Sequence, residues 1–142
     1  MWRKQNHKNR KETMNPFISN KLYCKKSNIP NSGYGIFTND DIKKGDVIEV
    51  SRFIEIDFKL YNYVDGNILS VLYNFPKDNP KYLAIVLGYG SLYNSSLNDI
   101  SNNVDWITNE DDKVFIYFAK TDINKNEELY IYYNNYEFNN NK

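Results

Sequence analysis

The sequence predicts a small, mainly β domain, and three observations support that prediction. Short runs of β-branched and aromatic residues recur along the chain, as in the segments 82–87 and 114–118. Gly, Pro, Asn and Asp separate these runs, and those residues are typical of tight turns. The chain has no long segment with the apolar spacing of an amphipathic helix, and no alternation of strands and helices typical of a parallel sheet.

The predicted strands share this composition and are bounded by turn residues. In chain order they are 22–24, 36–38, 47–50, 53–56, 68–75, 82–87, 104–108, 114–118 and 128–133. The sixth strand follows the fifth across a Pro- and Asn-containing turn, and the eighth follows the seventh across an acidic turn, so both pairs are predicted hairpins. Residues 57–66 are predicted to form a helical turn, and 97–103 an Asn-rich loop.

The composition is that of a single globular domain. The 142 residues are enough for one domain with a real core, and 41% of them are hydrophobic and 25% charged. No apolar run approaches the roughly 20 residues of a membrane helix, and the N-terminus lacks the apolar core of a signal peptide. We therefore expect a soluble, intracellular protein that does not bind membranes.

Charge is divided unevenly along the chain. Residues 1–26 carry eight basic side chains against one acidic side chain, a net of +7, and the remaining residues carry ten against seventeen, a net of −7. The acidic part would attract a basic peptide, and the basic part could attract nucleic acid. A solvated, disordered tail is the simpler interpretation of residues 1–20.

Cysteine and histidine usage argues against metal and disulfide chemistry. The chain has one cysteine, Cys24, and one histidine, His7. A single thiol excludes an internal disulfide and a multi-cysteine zinc cluster, so no metal site is predicted. Cys24 is expected to be a half-buried residue of an edge strand, without a reactive role.

Two glycine-containing turns are the first candidates for a site. Gly33-Tyr34-Gly35 predicts a tight turn whose backbone groups can meet a ligand, although a plain hairpin turn is the default interpretation. The second turn, Gly88-Tyr89-Gly90, follows an apolar strand and leads to Asn94 and Ser95. These polar side chains either recognise a ligand or merely cap a turn.

Three segments together resemble the SET-domain family. Residues 33–48 resemble its opening, a G-x-G followed by an apolar–aromatic pair and an "I-x-x-G-(E/D)-x-I" turn. Residues 94–103 resemble its "N-H-S-x-x-P-N" motif, and residues 127–133 resemble "G-E-E-L-x-x-x-Y". The aromatic continuation of the last motif extends the resemblance to 138, so that it covers about residues 23–138.

The chain departs from the family pattern at several positions. Ser95 stands where the family usually has His, and the Pro before Asn103 is missing from a slightly longer loop. Asn126 and Asn134 replace two glycines, which Asn can do because it tolerates left-handed backbone angles.

The resemblance implies a fold and an activity. The fold would be mainly β, a β-clip of several small sheets with short helical turns and a C-terminal pseudoknot over residues 21–138, with 139–142 as a disordered tail. The segments 94–103 and 127–138 would meet there. The activity would be methyl transfer from S-adenosyl-L-methionine to a lysine side chain, and the chain offers no acid–base dyad, so the amine would lose its proton to water.

The resemblance also implies roles for individual residues. Tyr133 would be the catalytic residue, because its hydroxyl would align the reacting groups. The cofactor-binding residues would be Gly33, Tyr34, Gly35, Asn94, Ser95, Tyr133 and Phe138. Phe138 would stack on the adenine and, with Tyr136, close the pocket in the absence of a zinc-bound segment. Ile131 and Tyr93 would line the substrate channel, and Ile131 favours more than one methylation because it cannot hold a water by a hydrogen bond.

The expected partner is a basic protein or peptide, for example a histone tail. The protein would be nuclear if chromatin is the substrate and otherwise cytoplasmic, and a homodimer would complete a groove that flanking segments do not supply. One alternative is a catalytically degenerate SET-like module that acts as a protein-interaction domain. A weaker alternative is nucleic-acid binding through the basic N-terminal tail.

Overall fold

The computed structural model of the protein describes residues 14–63, 72–95 and 101–132. Those ranges contain ten β-strands and one 3-10 helix, Phe58–Tyr63, which confirms the predicted mainly β class. In chain order the strands are β1 (Phe17–Ile18), β2 (Leu22–Lys26), β3 (Tyr34–Thr38), β4 (Val47–Ser51), β5 (Phe53–Ile56), β6 (Tyr73–Phe75), β7 (Tyr82–Val86), β8 (Val104–Asn109), β9 (Val114–Ala119) and β10 (Glu128–Leu129).

The described strands form three small antiparallel sheets. Their strand orders are β1-β4-β9-β8, β10-β3-β2 and β5-β7-β6. Both predicted hairpins are confirmed, since β6 pairs with β7 and β8 pairs with β9. The consecutive strands β4 and β5 belong to different sheets, with Arg52 between them. The carbonyl of Arg52 accepts a hydrogen bond from the Leu87 N–H at 2.9 Å, which continues the β5–β7 pairing.

Aromatic side chains from two of the sheets fill the core. The buried ring of Tyr73 meets Trp106, Phe115 and Tyr117 edge-on, with ring centroids 5.1, 5.4 and 6.2 Å apart. Edge-to-face pairs of this kind contribute about 0.5–1.5 kcal/mol each beyond the area they bury. The packing therefore joins the β5-β7-β6 sheet to β8 and β9.

The N-terminal boundary differs from the prediction of a disordered tail through residue 20. Phe17 and Ile18 form β1 and pair with Val50 and Glu49 of β4. Ser19 then donates its N–H to the Ile48 carbonyl at 2.8 Å. A free edge of β4 would leave its backbone polar groups unpaired, and this short strand covers that edge. Residues 1–13 and 139–142 of the predicted tails lie outside the described residues.

Cys24 is exposed, and the prediction of a half-buried thiol is wrong. It lies on β2 at the edge of its sheet, where Leu22 at the start of the strand is buried and the residues from Cys24 to Lys26 are exposed. None of the helices in the described part of the chain has the length and apolar character needed to cross a membrane.

Candidate active site

The two glycines of the 33–35 turn are required for different reasons. Gly33 has a φ of +65°, a left-handed conformation that favours glycine, and nothing lies within 4 Å of the place where a Cβ would be. Gly35 lies at the start of β3, where a Cβ would overlap Glu128 Oε1 and lie 3.0 Å from Asn94 Nδ2. Between them, the Tyr34 side chain is 69% exposed. The turn therefore has an open side at Gly33 and a tightly packed side at Gly35.

The loop that follows β7 brings Asn94 to this turn. Asn94 is half-buried, and its Nδ2 donates a hydrogen bond to the Tyr34 carbonyl at 3.1 Å. Its own carbonyl accepts a hydrogen bond from the Ile131 N–H at 2.9 Å, within a parallel bridge between Asn94 and Tyr130. Asn94 therefore joins the glycine turn to the C-terminal strand segment, two parts of the chain about 95 residues apart in sequence.

Asn103 holds the other side of the same strand segment. Its Nδ2 donates to the Glu128 carbonyl at 2.9 Å, and its Oδ1 accepts from the Tyr130 N–H at 2.8 Å. The Val104 N–H donates to the Tyr130 carbonyl at 3.0 Å, beside a parallel bridge between Val104 and Ile131. Residues 128–131 thus lie between the segments at 94 and 103–104, the meeting that the resemblance implied.

A buried carboxylate, Glu128, connects the groups around Gly35. Its Oε2 accepts hydrogen bonds from Ser27 Oγ at 3.1 Å and from the Asn28 N–H at 3.3 Å. Its Oε1 lies 3.5 Å from Asn94 Nδ2. Burial, followed by the hydrogen bond and negative charge of Glu128, raises the pKa of the Tyr130 phenol to about 12. Tyr130 is therefore a neutral hydrogen-bond donor at this carboxylate near pH 7.

A second buried carboxylate, Glu49, lies under the loop that carries Asn94. Its Oε1 accepts a hydrogen bond from the Tyr93 hydroxyl at 2.6 Å, and its Oε2 accepts one from the Tyr89 N–H at 2.9 Å. Ser51 Oγ donates to the same Oε2 at 2.5 Å. Burial raises the pKa of the Glu49 carboxyl, and these donors, which favour the charged form, oppose the rise.

The residues predicted for the site have different places in the structure. Gly33, Tyr34, Gly35, Asn94 and Ser95 are described. Tyr34, Gly35 and Asn94 lie at the junction of the glycine turn with the C-terminal segment, and Gly33 directly precedes Tyr34 in that turn. Ser95 is half-buried and directly follows Asn94. Tyr133 and Phe138 lie outside the described residues, so their roles stay predictions.

The two residues predicted for the substrate channel are both buried. Ile131 and Tyr93 belong to the main core cluster, and the Tyr93 hydroxyl is bonded to Glu49. Their contact with a substrate stays a prediction.

Sequence reasoning missed both carboxylates. Glu128 lies within the "E-E-L" motif that carried the resemblance, and that motif was the available signal for it. Glu49 had no signal, because a charged residue between two apolar residues of a strand is expected to face solvent.

The arrangement suits a ligand that approaches backbone groups closely. The open space at Gly33, the exposed ring of Tyr34 and the amide side chain of Asn94 lie side by side. Within residues 14–63, 72–95 and 101–132, no group of three His, Cys, Asp or Glu side chains could hold a metal ion.

Comparison with known proteins identifies the family. The family model described as the SET domain matches residues 33–134, which include the glycine turn, the Asn94 loop and the strand segment 128–131. The chain therefore belongs to the SET-domain family. A comparison with curated protein sequences found no match.

Solved structures agree with this assignment. A Plasmodium falciparum protein, provisionally assigned as a histone methyltransferase, is 29% identical to this chain with a TM-score of 0.62, and the match covers 80% of this chain and 93% of that one. The family and this relative support methyltransferase activity.

Two further structures are similar in fold alone. They are Polycomb Repressive Complex 2 from Chaetomium thermophilum in an autoinhibited conformation bound to S-adenosylmethionine, and a humanized mutant of that complex bound to an inhibitor. Their TM-scores are 0.63 and 0.64 at 16% identity, and the matches cover 82% of this chain but only 15% of each of those chains.

Proposed function

We propose that this chain transfers a methyl group from S-adenosylmethionine to a lysine side chain of a basic protein. The observation that carries the proposal is the junction at Asn94, whose side chain reaches the Tyr34 carbonyl while its backbone accepts from Ile131. This junction unites the three motifs on which the family resemblance rests. S-adenosylmethionine, when bound, supplies an electrophilic methyl group on a positively charged sulfur.

Gly33, Tyr34, Gly35 and Asn94 would hold the cofactor. Gly35 lets the side chains of Glu128 and Asn94 pack closely against the turn, and Tyr34 presents an exposed ring next to its open side. Because Asn94 is fixed through its backbone to residue 131, its side chain would keep a constant position relative to the C-terminal segment. Orientation of reacting groups by such rigid supports can lower a barrier by about 7–11 kcal/mol.

The lysine amine would be deprotonated without a carboxylate base. Its unperturbed pKa is about 10.4, and apolar surroundings lower that pKa because they disfavour the ammonium form. Glu49 and Glu128, the carboxylates that contact the Asn94 loop or its side chain, are both buried and bonded to donors. Tyr133 would align the amine, as the resemblance implies.

The substrate would be a basic protein, because residues 27–142 carry a net charge of −7 and attract cationic partners. A histone tail is one example, and the protein would then act in the nucleus, whereas another basic substrate would place it in the cytoplasm. A homodimer that completes the substrate groove belongs to the same proposal, and analytical ultracentrifugation would test it.

The decisive experiment combines cofactor binding with methyl transfer. Calorimetry should detect saturable binding of S-adenosylmethionine, and Asn94→Ala should weaken it at least tenfold while the control Asn124→Ala, at an exposed turn, leaves it unchanged. Incubation with labelled cofactor and a panel of basic proteins should then label lysine, which mass spectrometry would locate. Tyr133→Phe should abolish transfer and retain binding.

Ser95 favours one competing function, a degenerate module that binds a protein partner without catalysis. The family usually has His at this position, next to the Asn94 junction. Calorimetry separates the two functions, because the methyltransferase should bind S-adenosylmethionine and a degenerate module should bind little of it. Absent cofactor binding would rule out the methyltransferase and support the module.

A further inference from the structure

The carboxylate of Glu49 is part of the core and has no access to solvent. Its side chain projects from β4, and the residue is 0% exposed. A carboxylate in such a place is costly unless donors satisfy it. Four described donors do so: the Tyr93 hydroxyl, Ser51 Oγ and the backbone N–H groups of Tyr89 and Gly90.

Three of these four donors belong to the loop that carries Asn94, residues 88–94. Tyr89 lies at the start of the loop, and Tyr93 directly precedes Asn94. At Gly88, where φ is +95°, a Cβ would lie 2.6 Å from Glu49 Oε2. The backbone of the loop therefore packs directly against the carboxylate. One carboxylate therefore fixes both ends of the loop.

We propose that Glu49 is a positioning residue for the methyl-transfer reaction, because it holds the 88–94 loop so that Asn94 stays at the Tyr34 carbonyl. This inference rests on the proposed function and adds a residue that acts on the cofactor site from the core. Hydrogen bonds to a charged acceptor are shorter and stronger than neutral ones, and they suit a loop that must hold one geometry. Glu49 acts through Tyr93 and Asn94 and touches no reacting atom.

Two hydroxyl groups, those of Tyr93 and Ser51, donate hydrogen bonds to Glu49, and removing each one gives a matched pair of variants. Tyr93→Phe removes a hydrogen bond from the loop to the carboxylate, whereas Ser51→Ala removes one that stays within β4. Calorimetry should show the S-adenosylmethionine Kd at least tenfold higher in Tyr93→Phe and within twofold of wild type in Ser51→Ala. Val114→Ala, in the separate core cluster with Val50 and Ile116, controls for loss of stability alone.

A double-mutant cycle tests whether Tyr93 acts through Glu49. Glu49→Gln keeps the shape of the side chain but replaces one acceptor oxygen by a donor, so it perturbs the bonds to Tyr93 and Tyr89 together and should raise the Kd at least as much as Tyr93→Phe does. If Tyr93 acts through Glu49, Tyr93→Phe should cost less affinity in the Glu49→Gln background than in the wild type, so the double variant should lose less than the sum of the two single losses. Additive effects would overturn the proposal, as would a Kd that follows the melting temperature across all variants, including Val114→Ala.

Hydrogen exchange of the ligand-free protein separates this inference from the proposed function. In Glu49→Gln, the amides of residues 88–94, with Tyr89 foremost, should exchange at least tenfold faster, while those of β9 keep their rates. Unchanged exchange in the loop would overturn the positioning role. If the wild type binds no S-adenosylmethionine, the proposed function fails, and the exchange measurement still decides whether Glu49 positions the loop.

Discussion

Single residues at the junction are constrained by space and by charge. Gly35 faces a buried carboxylate so closely that no side chain fits, whereas Gly33 needs only its left-handed backbone. Glu128 and Glu49 are both buried, and each is bonded to several donors on different segments of the chain. Each of these residues therefore has a role that a substitution can test by itself.

Replacing Gly35 by Ala should damage the proposed cofactor site. The added Cβ overlaps Glu128 Oε1 and approaches Asn94, so the turn and the carboxylate must move apart, at a cost of about 1–3 kcal/mol of stability. We expect the S-adenosylmethionine Kd to rise at least tenfold in calorimetry. Gly45→Ala is the control. The φ of +90° at Gly45 strains an Ala, but nothing lies within 4 Å of the place where its Cβ would be. The stability of this variant should therefore fall while its affinity for S-adenosylmethionine stays unchanged. Equal affinity loss in both variants would contradict the close contact at Gly35.

The raised pKa of Glu49 predicts a pH dependence of stability. Burial raises this pKa from its ordinary value of 4.5, so the folded protein holds the proton more tightly than the unfolded chain. The stabilisation from Glu49 is then fully present below pH 4.5 and is lost as the pH rises through the raised pKa.

Urea denaturation of wild type and Glu49→Gln over this pH range would check the prediction. Other groups titrate in both proteins and cancel in the difference between their free energies of unfolding. The stability advantage of the wild type should therefore be largest at low pH and shrink as the pH rises. An advantage that grows with pH would show that the pKa of Glu49 is lowered instead.

Among the structural elements, the strand segment 128–131 depends most on its neighbours. β10 pairs with β3 over only two residues, Glu128 and Leu129. Beyond it, single bridges to Asn94 and Val104 and the side chain of Asn103 supply the remaining partners. So short a strand has little stability of its own, and the flanking segments hold it in place.

Asn103→Ala should therefore destabilise the protein more than the loss of a half-buried side chain usually does. It removes the partners of the Glu128 carbonyl and the Tyr130 N–H, and an unsatisfied buried polar group costs about 1–3 kcal/mol. We expect a loss of about 2–4 kcal/mol by urea denaturation. Asn124→Ala, which removes an exposed hydrogen bond to Glu127, should cost less than about 0.5 kcal/mol. Similar losses of stability in the two variants would contradict the role of the Asn103 side chain in holding the strand segment 128–131.

In the molecule as a whole, an acidic charge surplus accompanies the site. The full chain is neutral, yet residues 27–142 carry a net charge of −7. A field of this sign concentrates cationic partners near the protein, and it acts over about a Debye length. For the proposed reaction it would therefore favour basic substrates, and it does not identify a particular one.

Salt should weaken substrate capture more than it affects chemistry. Raising the ionic strength from about 0.05 to 0.5 M shortens the Debye length, so the KM for a basic peptide should rise several-fold with little change in kcat. A peptide with its flanking Lys and Arg replaced by Gln should show a KM that depends far less on salt. Steady-state kinetics with both peptides would measure this. Identical salt dependence would exclude steering by the acidic surplus.

The sequence by itself determined the mainly β class, both hairpins, the glycine turn and the family. These features depend on local properties: alternating side chains, turn residues and the order of short motifs. The sequence also indicated that Asn126 can replace a family glycine, because Asn tolerates left-handed backbone angles. The φ of Asn126 is 72°, which is such an angle.

Only the tertiary structure decided which polar residues are buried. Glu49 is shielded from solvent because a loop forty residues later covers it, and β1 is ordered because the edge of β4 needs a partner. The position of Glu128 against Gly35 likewise depends on pairing across about ninety residues. Burial is a property of segments that meet in space, and a local pattern in the sequence contains no record of the segment that will cover it.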